Sequence, residues 1–131
     1  MFPLNINHQM ATHFLFIQNP PECPTFNFIK SGIKTVEGRT YKQKYHSFKI
    51  GDHLVFRYND QSINTTIVDI KLYATLEEYV EKEGYEKVLP GTRSANEAIC
   101  LYNDNLWSIA QERNDALNLF GYGFMGIHFI L

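Results

Sequence analysis

A predicted antiparallel hairpin in the middle of the chain is the feature that most constrains the fold. Leu54, Phe56 and Tyr58 stand at alternate positions, which is the period of a strand with one buried face. Residues 59–62 form a turn signal, and residues 65–73 are a second β-prone run that returns alongside the first. Strict alternation divides this second strand between two faces, with Ile67 and Asp69 on one and Val68, Ile70 and Leu72 on the other.

The segments around this hairpin follow one another in an irregular order. A parallel, doubly wound sheet needs regular alternation of strands and helices, so the order argues against it. It favours an α+β fold, in which a small mixed sheet closes into a partly open β-barrel with flanking helices. In chain order we expect a strand at 13–17, a helix at 26–30, a strand at 34–39, the hairpin, two helices opened by the capping boxes Thr75-x-x-Glu78 and Ser94-x-x-Glu97, and a strand at 124–131.

Length and composition indicate one soluble domain. The chain has 131 residues, of which 44% are hydrophobic and 20% charged. We expect residues 1–11 to be a loose leader and residues 12–131 to form the single domain. No run of apolar residues is long enough to span a membrane, and the first ten residues lack the basic start of a signal peptide, so we expect an intracellular, soluble protein, cytoplasmic or nuclear.

The cysteines and histidines do not form a recognisable metal-binding pattern. Cys23 and Cys100 are far apart and neither belongs to a CxxC pair, so free thiols are the simplest interpretation. The five histidines are scattered without the spacing of a ligand pair. We therefore expect neither a metal nor another cofactor.

Charge is unevenly distributed along the chain although the net charge is only −2. Residues 30–49 contain six basic residues and one acidic residue, a local charge of +5, whereas residues 74–97 contain six glutamates and three basic residues, a local charge of −3. A basic segment of this kind attracts anions such as nucleic-acid phosphates. Beside the site described next, we expect four of its lysines to contact phosphate: Lys30, Lys42, Lys44 and Lys49.

The densest group of chemically useful side chains lies within this basic segment. Its four members are Lys34, Thr35, Glu37 and Arg39. In an extended strand, Lys34 would share a face with Val36 and not with Glu37, and a local bulge or turn at Gly38 could bring Lys34 back beside Glu37. Lys and Arg donate hydrogen bonds and Glu accepts them, so this set suits an anion or the polar edge of a base.

Two stretches of the sequence resemble a known family. Residues 28–39, with a helix end at Gly32 and the run Lys-Thr-Val-Glu-Gly-Arg, and residues 48–56, with Gly51-Asp52 before a hydrophobic strand, are similar to the ASCH domain of the PUA-like superfamily. The helix beginning near Thr75, residues 90–99 and the glycine-rich approach to the last strand are similar too. The resemblance implies a PUA-like β-barrel whose cleft is lined by residues 34–39, and RNA or a modified nucleoside as the ligand.

The same resemblance raises an enzymatic alternative. Some small bacterial members hydrolyse the amide of N4-acetylcytidine with a Lys, a Thr and a Glu. Their Lys matches Lys34, whereas the position of their Thr is occupied here by Glu37. Their Glu falls after the first capping-box helix, where Glu83 and Glu86 are candidates. The amidohydrolase triad is therefore not carried over intact.

Three functions remain open at this level. The first is a module that binds RNA or a nucleoside through Lys34, Thr35, Glu37 and Arg39. The second is a small hydrolase of an acylated nucleoside or RNA, with Lys34 and Glu37 as catalytic residues and Thr35 or Arg39 as an oxyanion donor. The third is a protein-interaction module that uses the acidic residues 75–86 or exposed aromatic side chains, with a protein partner that the sequence does not identify.

Overall fold

The computed structural model describes residues 9–21, 23–104 and 110–131. The predicted leader at residues 1–11 lies largely outside these residues. Five strands are present in the described part of the chain: β1 (Thr12–Phe16), β2 (Val36–Thr40), β3 (His53–Tyr58), β4 (Gln61–Tyr73) and β5 (Phe124–Ile130). The described helices are α1 (Thr25–Lys30), α2 (Leu76–Glu83), α3 (Tyr85–Val88), α4 (Ala95–Asp104) and α5 (Ala110–Phe120), and a 3₁₀ turn covers Gln43–Tyr45.

The five strands form one curled half-barrel sheet in the order β1-β3-β4-β5-β2. β1 pairs with β3 in parallel, whereas the other three pairs are antiparallel. This mixed sheet with flanking helices confirms the predicted α+β fold and its partly open barrel. β1 and β2 are the two edge strands, so the opening of the half-barrel lies between them.

Two apolar cores hold the fold together. The first lies inside the curled sheet and contains Leu54, Phe56, Ile127 and Phe129. The second lies between the outer face of the sheet and the helices α2 to α4, and it centres on Tyr79. Ile127 and Phe129 therefore point inward and the half-buried His128 points outward, as the alternation of the last strand predicts.

Two glycines allow α2 to lie directly on the sheet. Gly38 of β2 pairs with Gly126 of β5, and the ring of Tyr79 covers both. A Cβ atom on Gly38 would lie 2.6 Å from the Tyr79 ring and 2.7 Å from Phe124, which is closer than van der Waals contact permits. Gly38 is thus required by the packing of α2, and β2 runs through it in regular register rather than bending there.

The predicted division of faces along the returning strand is wrong beyond Ile67. The β4–β5 register shifts between Ile67 and Asp69, which is the signature of a β-bulge at Val68. The bulge leaves Val68 exposed and places Ile67, Ile70 and Leu72 together against the inner core. Strict alternation fails here because one extra residue reverses the phase of every side chain after it.

Candidate functional site

A cleft opens where the half-barrel is incomplete, between the edge strands β1 and β2. Its cavity has a volume of about 80 Å³ and is lined by Phe16, Ile17, Gln18, Thr25, Glu37 and Arg39. We call it the seam cleft. A volume of this size holds several water molecules or the polar edge of a planar ring.

Glu37 and Arg39 supply the charged groups of the seam cleft. They are two residues apart on β2, so they share its inner face and pair across to Ile127 and Met125. Both Nε and Nη2 of Arg39 lie 3.0 Å from Oε2 of Glu37, and Nη2 also donates to the carbonyl of Phe16 at 3.3 Å. Burial opposes the charge of Arg39, but Glu37 and Tyr45 outweigh it and raise the pKa of the guanidinium. Arg39 thereby joins the two edges of the half-barrel and remains a cation.

Lys34 lies beside Glu37 but is completely buried. Its Nζ lies 3.5 Å from Oε1 of Glu37 and donates to the carbonyls of Val36 and Val88. Burial is the main influence on Lys34 and lowers its pKa, while Glu37 acts in the opposite direction. Lys34 reaches Glu37 from the residues just before β2, without a bulge at Gly38. Lys34 is not among the residues that line the seam cleft, so its side chain positions Glu37 from behind.

The remaining predicted ligand residues lie outside the seam cleft. Thr35 is exposed, and its carbonyl accepts a hydrogen bond from the backbone of Phe129. Lys30, Lys44 and Lys49 are exposed as well. Lys42 is half-buried and forms an ion pair with Glu112 at 2.8 Å, so its charge is partly neutralised. The structure therefore brings together Lys34, Glu37 and Arg39 but leaves Thr35 and the four lysines at other positions.

Phe16 is a residue at this cleft that the sequence does not single out. The residue is 73% exposed and lines the cavity, and its carbonyl accepts a hydrogen bond from Arg39. Residues 14–17 of the predicted strand are all apolar, so this part resembles a strand buried on both faces. The missing information is that none of the described helices packs on the outer face of β1, where Phe14 and Phe16 are exposed.

The two glutamates that the family resemblance brings forward lie on helices outside the seam cleft. Glu83 ends α2 and accepts hydrogen bonds from Tyr73 at 2.6 Å and from His128 at 2.7 Å. Burial, assisted by Glu83, raises the pKa of Tyr73. Glu86 is exposed on α3. Neither residue lines the cavity that Glu37 and Arg39 share.

Three tyrosines whose rings could stack on a base pack mainly within the protein instead. Tyr45 and Tyr102 are buried, and Tyr41 is half-buried against His46 at a ring distance of 4.3 Å. In the described part of the chain, no three side chains of the metal-ligating types lie close enough to share an ion. A search of its helices also finds none long and apolar enough to cross a lipid bilayer.

Comparisons with known proteins agree with this fold. A sequence model of the ASCH domain matches residues 22–118. The crystal structure of the hypothetical protein PH0355 is similar with a TM-score of 0.69 and 28% identity, over 92% of this chain and 97% of that one. The solution structure of protein PF0455 from Pyrococcus furiosus has a TM-score of 0.60 and 28% identity, over 92% and 96% of the two chains. A search of curated proteins found no match.

Proposed function

Because the chain belongs to the ASCH domain family, we propose that it binds RNA or a modified nucleoside in the seam cleft. The observation that carries this proposal is the Glu37–Arg39 pair, which places an acceptor and a cationic donor in one cavity. The resemblance of the family to RNA-binding domains favours RNA over other anions. The proposal otherwise depends on this chain's own residues.

The chemistry of the pair suits the edge of a nucleobase. The guanidinium of Arg39 presents several donors in one plane, and the carboxylate of Glu37 accepts hydrogen bonds from an amino group such as that of cytosine. The cavity of about 80 Å³ takes such an edge, while the rest of the ring extends toward the exposed Phe16. Most of the hydrogen bonds that the base loses to water on entering the cleft are replaced by hydrogen bonds to the protein.

Lys34 acts in this proposal as a positioning residue. Its ion pair fixes one carboxylate oxygen of Glu37 and leaves the other to Arg39. A hydrolase would need the Nζ of Lys34 to approach the substrate, but this group is fully buried and donates to two backbone carbonyls. Geometry therefore favours binding over hydrolysis as the function to test first.

The first test measures the affinity of the full chain for short single-stranded RNA and for acetylated cytidine. Arg39→Gln removes the cation from the seam cleft, and we expect affinity to fall by about ten-fold or more, since a hydrogen bond from a charged group contributes ~1.5–3 kcal/mol. Glu37→Gln is the second variant, because it keeps the size of the side chain and removes its charge. Fluorescence anisotropy at low salt gives the affinities, and thermal denaturation verifies that each variant is folded.

Arg93→Gln provides the matched control. Arg93 is also paired with a glutamate, but its side chain is 89% exposed, and it lies just before α4 and does not line the cleft. We expect its affinity to equal that of the wild type. Absence of RNA and nucleoside binding by the wild type, or equal losses in Arg39→Gln and Arg93→Gln, would contradict the proposal. Release of acetate from acetylated cytidine, detected by mass, would instead support the hydrolase.

A further inference from the structure

We propose that the outer face of β1, β3 and β4 is a stacking platform for single-stranded RNA, with Phe14 and Phe16 each supporting one base. This inference rests on the proposed function and specifies its ligand as an unpaired strand of several nucleotides rather than a lone nucleoside. We call this surface the β1 platform. The following observations concern its aromatic rings, its charge and its continuity with the seam cleft.

The two rings stand side by side on an open surface. Phe14 and Phe16 are 54% and 73% exposed, whereas Leu15 between them is buried in the inner core. Residues two apart on a strand lie on the same face and are separated by roughly 6.6 Å along it. Exposed aromatic rings on a sheet surface are the means by which several RNA-binding folds stack successive unpaired bases.

The neighbouring positions make this surface suitable for a polyanion. The strand register places nine side chains on the β1 platform: Thr12, Phe14 and Phe16 of β1, His53, Val55 and Arg57 of β3, and Ser62, Asn64 and Thr66 of β4. None of these nine residues is acidic. The hydroxyl and amide groups supply donors for bases and ribose, and Arg57 supplies a permanent positive charge.

Arg57 is free to meet a phosphate. Its guanidinium carbon lies 5.9 Å from the centre of the Phe14 ring, so the ring holds the side chain over the platform. Within the described residues, Arg57 forms no ion pair and its buried Nε has no hydrogen-bond partner. A half-buried arginine without a carboxylate partner, beside an exposed aromatic ring, is better matched by a nucleotide than by an apolar peptide.

The platform continues directly into the seam cleft. Phe16 belongs to both, because it is one of the residues that line the cavity and its carbonyl is bound by Arg39, while its ring stands beside Phe14 on the outer face of β1. Toward the start of β1, a second depression of about 330 Å³ is lined by Phe14 and by the exposed Lys44 among others. A strand whose first base enters the seam cleft can therefore stack its next bases on Phe16 and Phe14, with Arg57 and Lys44 near its phosphates.

The test compares single alanine variants of the two rings in the full chain. Phe14→Ala and Phe16→Ala are each expected to weaken binding of a fluorescent single-stranded RNA hexamer by about 5- to 150-fold, the range for loss of one stacked base. Phe14→Tyr and Phe16→Tyr keep the aromatic face and are expected to bind like the wild type. Leu119→Ala is the matched control, since Leu119 is also 73% exposed but lies on α5.

The length of the RNA gives a second, independent measurement. Affinity should rise from mononucleotide to trinucleotide in the wild type, and this rise should disappear in the Phe14→Ala, Phe16→Ala double variant. If Arg39→Gln abolishes binding while the double variant binds RNA of every length normally, the seam cleft is supported and the β1 platform is overturned. The β1 platform is likewise overturned if the double variant changes self-association or peptide binding but leaves RNA binding unchanged. It is also overturned if duplex RNA binds to the wild type as tightly as single-stranded RNA.

Discussion

Asp52 shows how one buried carboxylate connects the start of β1 with the turn before β3. It is 1% exposed and accepts hydrogen bonds from the backbone of Ala11 and Lys49 and from the ring of His13 at 2.8 Å. Burial is the largest influence and by itself raises the pKa of Asp52. The three hydrogen bonds and the proximity of His13 outweigh burial, so the pKa is lowered from 3.8.

The lowered pKa of Asp52 predicts part of the acid sensitivity of the fold. A carboxylate with a depressed folded-state pKa stabilises the protein above its unfolded value of 3.8, and this stabilisation is lost as the pH falls through the folded pKa. We expect Asp52→Asn to lower the melting temperature at neutral pH and to reduce its further decline below pH 3.8. Thermal denaturation across pH measures both, with Asp60→Asn in the exposed hairpin turn as control. If the melting temperature of Asp52→Asn fell below pH 3.8 as steeply as that of the wild type, this assignment would be contradicted.

At Lys34, unlike at Asp52, the effect of burial on the pKa outweighs the effects of the neighbouring groups. Burial lowers its pKa, so the unfolded chain binds more protons than the folded one over the interval just below 10.5. Through Lys34, therefore, stability rises as the pH increases across that interval. The cost of burying this cation is offset by the carbonyls of Val36 and Val88 and by Glu37, which together hold the floor of the seam cleft in one arrangement.

At the scale of elements, the best predicted features are those with local chemical causes. The capping box before α2 is confirmed, because Thr75 accepts from the backbone of Glu78 at 3.1 Å. The second box is confirmed at Ser94, which accepts from the backbone of Glu97 at 3.1 Å. The hairpin is confirmed too, although β4 begins at Gln61 and is longer than predicted. Its turn is the two residues Asn59 and Asp60, and Asn59 adopts a φ of 53°.

The contact between α2 and β2 predicts a strong effect of a single methyl group. Gly38→Ala places a Cβ at 2.6 Å from Tyr79 and should destabilise the fold by ~1–3 kcal/mol or more, the usual range for overpacking. Gly126→Ala is the matched comparison, since its nearest contact with Tyr79 is 3.1 Å and its cost should be smaller. Urea denaturation measures the free energy of unfolding of both. Equal costs would show that packing of Tyr79 is not what requires Gly38.

At the scale of the whole molecule, the direction from which RNA approaches depends on how charge is distributed over the surface more than on the net charge. The net charge is −2, yet the basic residues 30–49 include Lys44 next to β1 and Arg39 inside the seam cleft. The glutamates of α2 and α3 instead border a wide groove on the helical side, where Val80, Tyr85 and Ile99 are also found. RNA should therefore approach the strand side of the molecule and be repelled from the helical side.

This separation predicts which lysines influence the salt dependence of RNA binding. Each phosphate contact on a single strand contributes roughly 0.7 to the slope of log affinity against log salt. Lys44→Ala should lower the slope by about this amount. Lys42→Ala should change it less, because Lys42 already pairs with Glu112. Lys82→Ala, on α2, should leave it unchanged. Titrations from low to moderate salt measure the slopes, and equal slopes for all three variants would contradict this route for the RNA.

The candidate site could be predicted in part because its residues are close in sequence. Lys34, Glu37 and Arg39 fall within six positions, so they belong to one short segment, although an ideal strand would place Lys34 on the face opposite Glu37 and Arg39. Which of them faces a ligand could not be predicted, since the burial of Lys34 depends on Val88, more than fifty positions away. The exposure of Phe14 and Phe16 could not be predicted either, because an apolar run does not indicate whether another element covers the face on which it lies.

The sequence by itself determined the features that depend on neighbouring residues: the hairpin, the two capped helices, the α+β class and the motif at residues 34–39. Propensity, capping and turn chemistry act over a few residues, so they can be predicted from a short segment of the sequence. Tertiary structure alone decided that β1 and β2 become the open edges, that Lys34 is sealed behind Glu37 and that Phe16 meets Arg39 at the seam. These outcomes depend on strand order and on contacts between distant segments, which no local pattern specifies.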